Sequence, residues 1–171
     1  GPDASGTSFE EKHGVGFGHR RLSIIDLSVR GRQPMESADR RFVLTYNGEV
    51  YNYRALREEL GGRFRSDGDT EVVLEAISRW GVFEAAQRFV GMFAFAVFDR
   101  ESGRLHLVRD RLGIKPLYWG HIQDDLVFAS ELSPLRKFPA FQTRVNRDAL
   151  AGLLRYNCVP GTRCMLDGFQ K

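Results

Sequence analysis

LTYNGEVYNYRAL, residues 44–56, decides how this chain reads. Its first half continues an apolar run from Phe42 and predicts a strand over 41–46, with Phe42 and Leu44 on one face. Its second half turns helical from Tyr53 to Leu60, where Leu56 and Leu60 stack and Arg54 and Glu58 stand at i, i+4. Between the two sits Asn47-Gly48-Glu49. Read alone, an Asn-Gly pair after a strand is a turn, because both residues tolerate positive φ. The same pair has a second use. A side-chain amide beside a sterically open backbone N–H can converge on a developing oxyanion.

Working outward, Gly61-Gly62 ends the first helix in the manner of a left-handed cap. Val72, Val73, Ala76, Ile77 and Trp80 give a helical face over 70–80, with Asp69 as its N-cap and Glu71 in the positive first turn. A further helix is expected over 83–89, after Gly81. FAFAVFD, residues 93–99, is apolar on both faces and predicts a strand buried on both sides. RESG turns it back into RLHLVRD as an antiparallel hairpin. PLYWGH and LVFASE add two short strands. SPLRKF and NRDALAGLLRY read as helices, the second capped by Asn146 with Leu150, Leu153 and Leu154 inward. On the N-terminal side, VGFGHRRLSIID at 15–26 suits a strand pair, and residues 27–40 read as a loop. Hairpin-linked strands with separate helix pairs predict an α+β layered sandwich.

At 171 residues and 42% hydrophobic content the chain makes one compact core and hardly two. The 25 basic and 22 acidic residues leave a net charge of +3 without a long basic run, which argues against nucleic acid as a partner. No apolar segment reaches bilayer length, so no membrane span is expected. Cys158 and Cys164 lack a second Cys or His pair at zinc spacing; their spacing leaves a disulfide open, and the simplest reading is two reduced thiols of a cytoplasmic protein. His13, His19, His106 and His121 are scattered, with no spacing for a metal or a catalytic triad. On its own, Arg21 reads as a surface arginine.

Five phrases in order carry a resemblance: GHRRLSIIDLSVRGRQPM at 18–35, LTYNGEVYNYRAL at 44–56, SDGDTEVVLEAI at 66–77, FVGMFAFAVFD at 89–99 and VRDRLGIKPLYWG at 108–120. Together they resemble the glutaminase domain of glutamine-hydrolysing asparagine synthetases, a class II glutamine amidotransferase domain. The HRRLSIID and QPM phrases point to that branch, since other class II domains favour a GHTRWAT-type phrase around the arginine. The resemblance implies an N-terminal-nucleophile hydrolase fold, a four-layer sandwich with two antiparallel sheets between helical layers. It covers the whole chain as one glutaminase domain, with a C-terminal ATP-dependent synthetase domain expected as its partner outside residues 1–171.

The resemblance also assigns roles residue by residue. Asn47 and the Gly48 N–H would hold the oxyanion. Arg21 would hold the α-carboxylate of glutamine through its planar fork, and Asp69 would meet the α-amino group. Glu49 would neighbour the substrate. Leu22, Ile24 and Ile25 would line its methylenes, and as strand residues in an apolar run they are expected in the core in any case. Arg20 should face away from Arg21. Arg109, Asp110 and Gly113 read as structural. No cofactor or metal is implied for this domain, whereas ATP and Mg²⁺ would serve the synthetase domain. The resemblance also allows a homodimer.

The implied activity is hydrolysis of glutamine to glutamate and ammonia, with the ammonia feeding amidation of aspartate. Two alternatives stay open: a relative that amidates another acceptor, and a glutamine-sensing or docking module without catalysis. In the family the nucleophile is an N-terminal cysteine in a Cys-Gly-Ile phrase, which residues 1–171 do not contain. Gly1-Pro2-Asp3 resembles a later phrase, so the catalytic head is expected several tens of residues upstream. The intact gene is therefore expected to encode a Met-Cys-Gly start, and chain 1–171 alone should release no glutamate from glutamine. Upstream sequence without that cysteine, or sustained turnover by 1–171, would count against the assignment.

Overall fold

The computed structural model describes residues 3–22 and 28–171. These fall into two compact units, residues 1–114 and 115–171.

The first unit is built around a four-stranded antiparallel sheet in the order β3-β4-β5-β6. Its strands are β3 (Met35–Glu36), β4 (Phe42–Val50), β5 (Gly91–Asp99) and β6 (Arg104–Arg109). Three helices lie between β4 and β5 in the chain: α1 (Tyr53–Leu60), α2 (Asp69–Trp80) and α3 (Val82–Arg88). Strand alternation sends Leu44, Tyr46, Val50, Phe93, Phe95 and Val97 into one core with Val72, Val73, Leu74 and Ile77 of α2. Phe89 meets Phe93 edge-on at 5.7 Å within it. Burying each such large side chain favours the fold by roughly 1.5–3 kcal/mol. Ala94, Ala96 and Phe98 of β5 are buried on the opposite face, so both faces of this strand are covered as its composition predicts.

β4 runs four residues beyond the predicted strand. Asn47, Gly48 and Glu49 pair with Ala94, Phe93 and Met92 across the sheet, so the Asn-Gly pair is extended strand and not a turn. The reason is the partner. An isolated Asn-Gly favours a turn, but β5 offers a ladder that continues to Val50–Gly91. This pairing leaves no room at two positions. A Cβ on Gly48 would run into the Met92 carbonyl oxygen and come within 2.6 Å of Phe93 Cα. A Cβ on Gly91 would strike the Glu49 carbonyl oxygen and lie 2.9 Å from Val50 Cα.

The strand pair expected within 15–26 is different in detail. β2 (Val15–Arg21) pairs with β1 (Ala4–Glu10), ending at Ala4–Arg21. Leu22 has no strand partner beyond that point and is 60% exposed, which corrects its expected place in the core. Phe17, His19 and Arg21 share the inward-facing side of β2, and Arg20 faces outward. Arg100 clasps this ribbon to the sheet, donating to both Glu10 carboxylate oxygens (2.8 and 2.7 Å) and to Glu36 (2.7 Å). Arg41 grips Asp99 with two hydrogen bonds of 2.9 and 2.7 Å, holding that carboxyl well below its ordinary range. On α1, Arg54 donates to the Tyr53 hydroxyl at 3.3 Å rather than to Glu58 as expected.

The second unit holds a three-stranded antiparallel sheet in the order β8-β7-β9: β7 (Tyr118–Ile122), β8 (Asp125–Ala129) and β9 (Phe169–Gln170). A single helical turn, α4 (Leu132–Leu135), and α5 (Arg147–Tyr156) complete it. Asn146 caps α5, accepting from the Ala149 N–H at 2.9 Å. The inward residues of α5 are Ala149 and Gly152. Leu150 and Leu154 are 38% and 77% exposed, against expectation, because Gly152 seats closely on Pro160 and turns the leucines outward.

Gly91→Ala is expected to destabilise the protein by about 1–3 kcal/mol and lower Tm by roughly 3–10 °C, since the added methyl must force a pair of bonded strands apart. Thermal unfolding followed by circular dichroism checks this. An unchanged Tm would mean that the strands separate there without cost.

Candidate active site

The site grows from the free edge of β4 beyond β3. In an antiparallel strand, alternate N–H groups point to the same side. The Asp110 N–H donates to the Phe93 carbonyl at 2.7 Å, and the Phe93 N–H donates to the Asp110 carboxylate at 3.2 Å. The backbone of Phe93 is thus directed away from β4, so its cross-strand partner Gly48 directs its own N–H to the opposite edge. Tyr46 and Val50 point the same way. The Tyr46 N–H donates to Gln33 Oε1 at 2.6 Å, and the Val50 N–H donates to Asp69 Oδ2 at 2.9 Å. The Gly48 N–H lies between these two capped donors. Asn47 alternates onto the other face beside Thr45 and Glu49, next to the small Ala94.

Asp69 is the first residue of α2, and Gly68 occupies the N-cap position, so the expected capping role is not the one it takes. Its buried carboxylate accepts from the Tyr46 hydroxyl at 2.6 Å as well as from Val50. Burial, with the Asp69 carboxylate alongside, holds the Tyr46 phenol above its ordinary pKa, so it stays a donor. The loop before α2 is set by Glu71. Its carboxylate accepts from the N–H groups of Arg65 (3.1 Å) and Ser66 (2.7 Å), the Arg65 guanidinium (2.9 Å) and the Ser66 hydroxyl (2.9 Å). Burial alone would raise its pKa, but these donors outweigh it and hold the group low.

Arg21 ends β2 with its Nη1 donating to the Ser28 carbonyl at 2.9 Å. Its guanidinium lies close against Gly31, where a Cβ would come within 2.7 Å of Arg21 Cζ. The turn at Val29–Gly31 reaches the loop before α2 through Arg30, which donates to the Arg65 carbonyl at 3.2 Å. The His13 ring lies tilted against Phe98 at 5.1 Å, and His19 Nδ1 sits 3.2 Å from Thr45 Oγ1. β2 thus meets β4 at His19, with Arg21 two residues further along on the same face.

Asn47, Gly48, Glu49, Asp69 and Arg21 are therefore linked through one set of elements. Leu22 is exposed, and Ile24 and Ile25 lie outside the described residues. Arg109, Asp110 and Gly113 form the expected structural turn: Arg109 donates to the Gly113 carbonyl at 2.6 Å, and Asp110 accepts from the Leu112 and Ile114 N–H groups. Gln33 and Tyr46 belong to the same frame, and the sequence alone does not single them out. QPM and TYNGE are visible phrases, but nothing in spacing tells that Gln33 caps a strand edge. Cys158 is exposed and Cys164 buried, both as free thiols. Among the described residues no three His, Cys, Asp or Glu side chains gather as a metal site, and no helix is long and apolar enough to cross a membrane.

A strand edge bearing Asn-Gly, an aspartate anchored to the same strand and an arginine at the end of β2 stand on antiparallel strands packed with helices. The chain matches the glutamine amidotransferase domain family over residues 1–171 and belongs to it. It is 43% identical over 163 residues to asparagine synthetase [glutamine-hydrolyzing] 1 of Bacillus subtilis, covering 94% of this chain and 25% of that protein. It is 37% identical over 153 residues to amidase chry2 of Gibberella zeae, covering 86% and 23%. Among solved structures it resembles glutamine phosphoribosylpyrophosphate amidotransferase from B. subtilis, with a TM-score of 0.61 at 25% identity over 71% of this chain and 28% of that one. The fold is accordingly the α+β N-terminal-nucleophile hydrolase type. The chain spans about a quarter of the length of each of these proteins.

Burial, helped by positive charge that includes Arg21, pushes the His19 imidazole from 6.5 down to about 4. The folded state thus declines a proton that the unfolded chain accepts below 6.5, so His19 makes stability fall between pH 6.5 and about 4. Replacement His19→Gln removes this contribution. The difference in Tm between wild type and variant should shift against the wild type across that window, and a constant difference would contradict the burial described.

Proposed function

We propose that this domain hydrolyses glutamine to glutamate and ammonia. The observation that carries the reading is the Gly48 N–H, held between two capped neighbours on the β4 edge, with the Asn47 amide beside it. A backbone donor fixed before the reaction, with a side-chain amide on the next residue, suits a charge that appears only in the tetrahedral transition state. Arg21 would take the substrate α-carboxylate, Asp69 the α-amino group, and Glu49 would flank the bound amide. In this reading the nucleophile is the N-terminal cysteine thiolate that the family resemblance implies, with its α-amine as base. Its sulfur adds to the amide carbonyl, the C–N bond breaks as the amine-borne proton moves to the leaving nitrogen, and water then cleaves the γ-glutamyl thioester. The hydrolytic half needs no cofactor.

In the intact protein the ammonia would pass to an ATP- and Mg²⁺-dependent domain that amidates aspartate, in keeping with the asparagine synthetases among its relatives. A second reading keeps the hydrolysis and changes the acceptor. The similarity to a protein named as an amidase favours keeping it in view. Product analysis with ammonia and a panel of carboxylates separates the two.

In the intact protein, Asn47→Ala should lower glutaminase kcat about 10²–10³-fold with little change in KM, as loss of a transition-state donor does. Arg21→Ala should chiefly raise KM, because its contact exists in ground and transition states alike. Synthesis from free ammonia should survive both. Steady-state kinetics decide, and an unchanged kcat for Asn47→Ala would remove it from the oxyanion site.

A further inference from the structure

We infer that Tyr46 is a positioning residue for recognition of the substrate's α-amino group, acting through Asp69. The inference rests on the proposed glutaminase reading and adds to it a residue that makes no contact with substrate there.

Tyr46 is 3% exposed and is fixed at both ends. Its N–H is tied to Gln33 Oε1, and its hydroxyl donates to Asp69 Oδ2. The same oxygen also accepts from the Val50 N–H. Two donors on Oδ2 lock the carboxylate plane and leave Oδ1 as the oxygen available to an ammonium group. They also bind the first residue of α2 to the strand that carries Asn47 and Gly48. The group that would read the α-nitrogen and the groups that would read the side-chain amide thus share one rigid frame. A carboxylate free to turn would give up some of its contact with the ammonium through lost side-chain order.

The hydroxyl is the group that matters, because the ring is held by the core around it. Tyr46→Phe keeps the ring and the Gln33 contact while releasing one of the two restraints on Oδ2. A charge-assisted hydrogen bond is stronger than a neutral one, and its loss frees the carboxylate to turn.

Steady-state kinetics on the intact protein, with glutamine and with glutaramate (glutamine without its α-amino group), test this. Tyr46→Phe should raise KM for glutamine about tenfold, leave kcat within a few-fold, and leave kcat/KM for glutaramate unchanged. Asp69→Asn keeps one amide oxygen able to accept from both donors and so guards against a merely unfolded variant. In that background, adding Tyr46→Phe should produce no further change with glutamine. An unaltered KM for glutamine overturns the inference. So does an equal loss with glutaramate, or additive effects in the double variant, since each would give Tyr46 a role independent of Asp69. If the wild-type protein hydrolyses no glutamine, the glutaminase reading itself fails, and that outcome is distinct from the others.

Discussion

The Asp69 carboxylate, buried where α2 begins and gripped by the Tyr46 hydroxyl and the Val50 N–H, is the contact on which the rest of the first unit turns. A buried carboxylate without partners costs several kcal/mol, so the chain folds only where those donors meet it. The positive end of α2 adds to the same balance. Meeting it fixes the helix against the sheet, caps the outermost N–H of β4, and closes the hydrophobic layer made by Val72, Val73 and Phe95. Glu71, in the same first turn of the helix, does the equivalent for the loop before it. Two acidic side chains near a helix start are usually solvent-facing dipole partners. Here both are spent on internal order.

The arginines show where the chain's basic character is used. Arg21, Arg30, Arg57, Arg65, Arg100, Arg109 and Arg111 each donate to a backbone carbonyl. Loops lack the regular ladders that satisfy carbonyl groups in strands and helices, and a guanidinium has donors enough to serve a carboxylate and a carbonyl together. Arg65 does so with Glu71 and the Glu36 carbonyl, joining the loop before α2 to β3. These seven arginines therefore serve the architecture of the chain.

Much of this was legible in the sequence where local pattern and final environment agree. The helices at Tyr53–Leu60 and Asp69–Trp80, the hairpin after FAFAVFD, and the Asn146 cap follow from periodicity and capping chemistry alone. What failed did so where a distant partner decides. Asn47-Gly48 reads as a turn until β5 supplies its ladder. Leu22 reads as core, but the strand pairing stops at Ala4–Arg21 and leaves it exposed. Leu150 and Leu154 read as the inner face of α5 until Pro160 is found against Gly152. Of the site, the Asn-Gly pair, Arg21 and Asp69 were recognisable as phrases. Gln33 and Tyr46 were not, because a single hydrogen bond to a strand edge or a carboxylate leaves no mark in spacing or composition.

Gly48 and its neighbour Asn47 stand together in the chain but answer to different demands. The strand crossing forbids a side chain at 48, as it does at Gly91, whether or not any chemistry takes place nearby. Asn47 alternates onto the Ala94 face of the strand, is only partly buried, and meets no such backbone clash. A descendant of this domain that had given up turnover would have to keep the glycine and would be free to drift at the asparagine. The asparagine is thus the informative letter of the pair, and the glycine beside it testifies only to the folded frame.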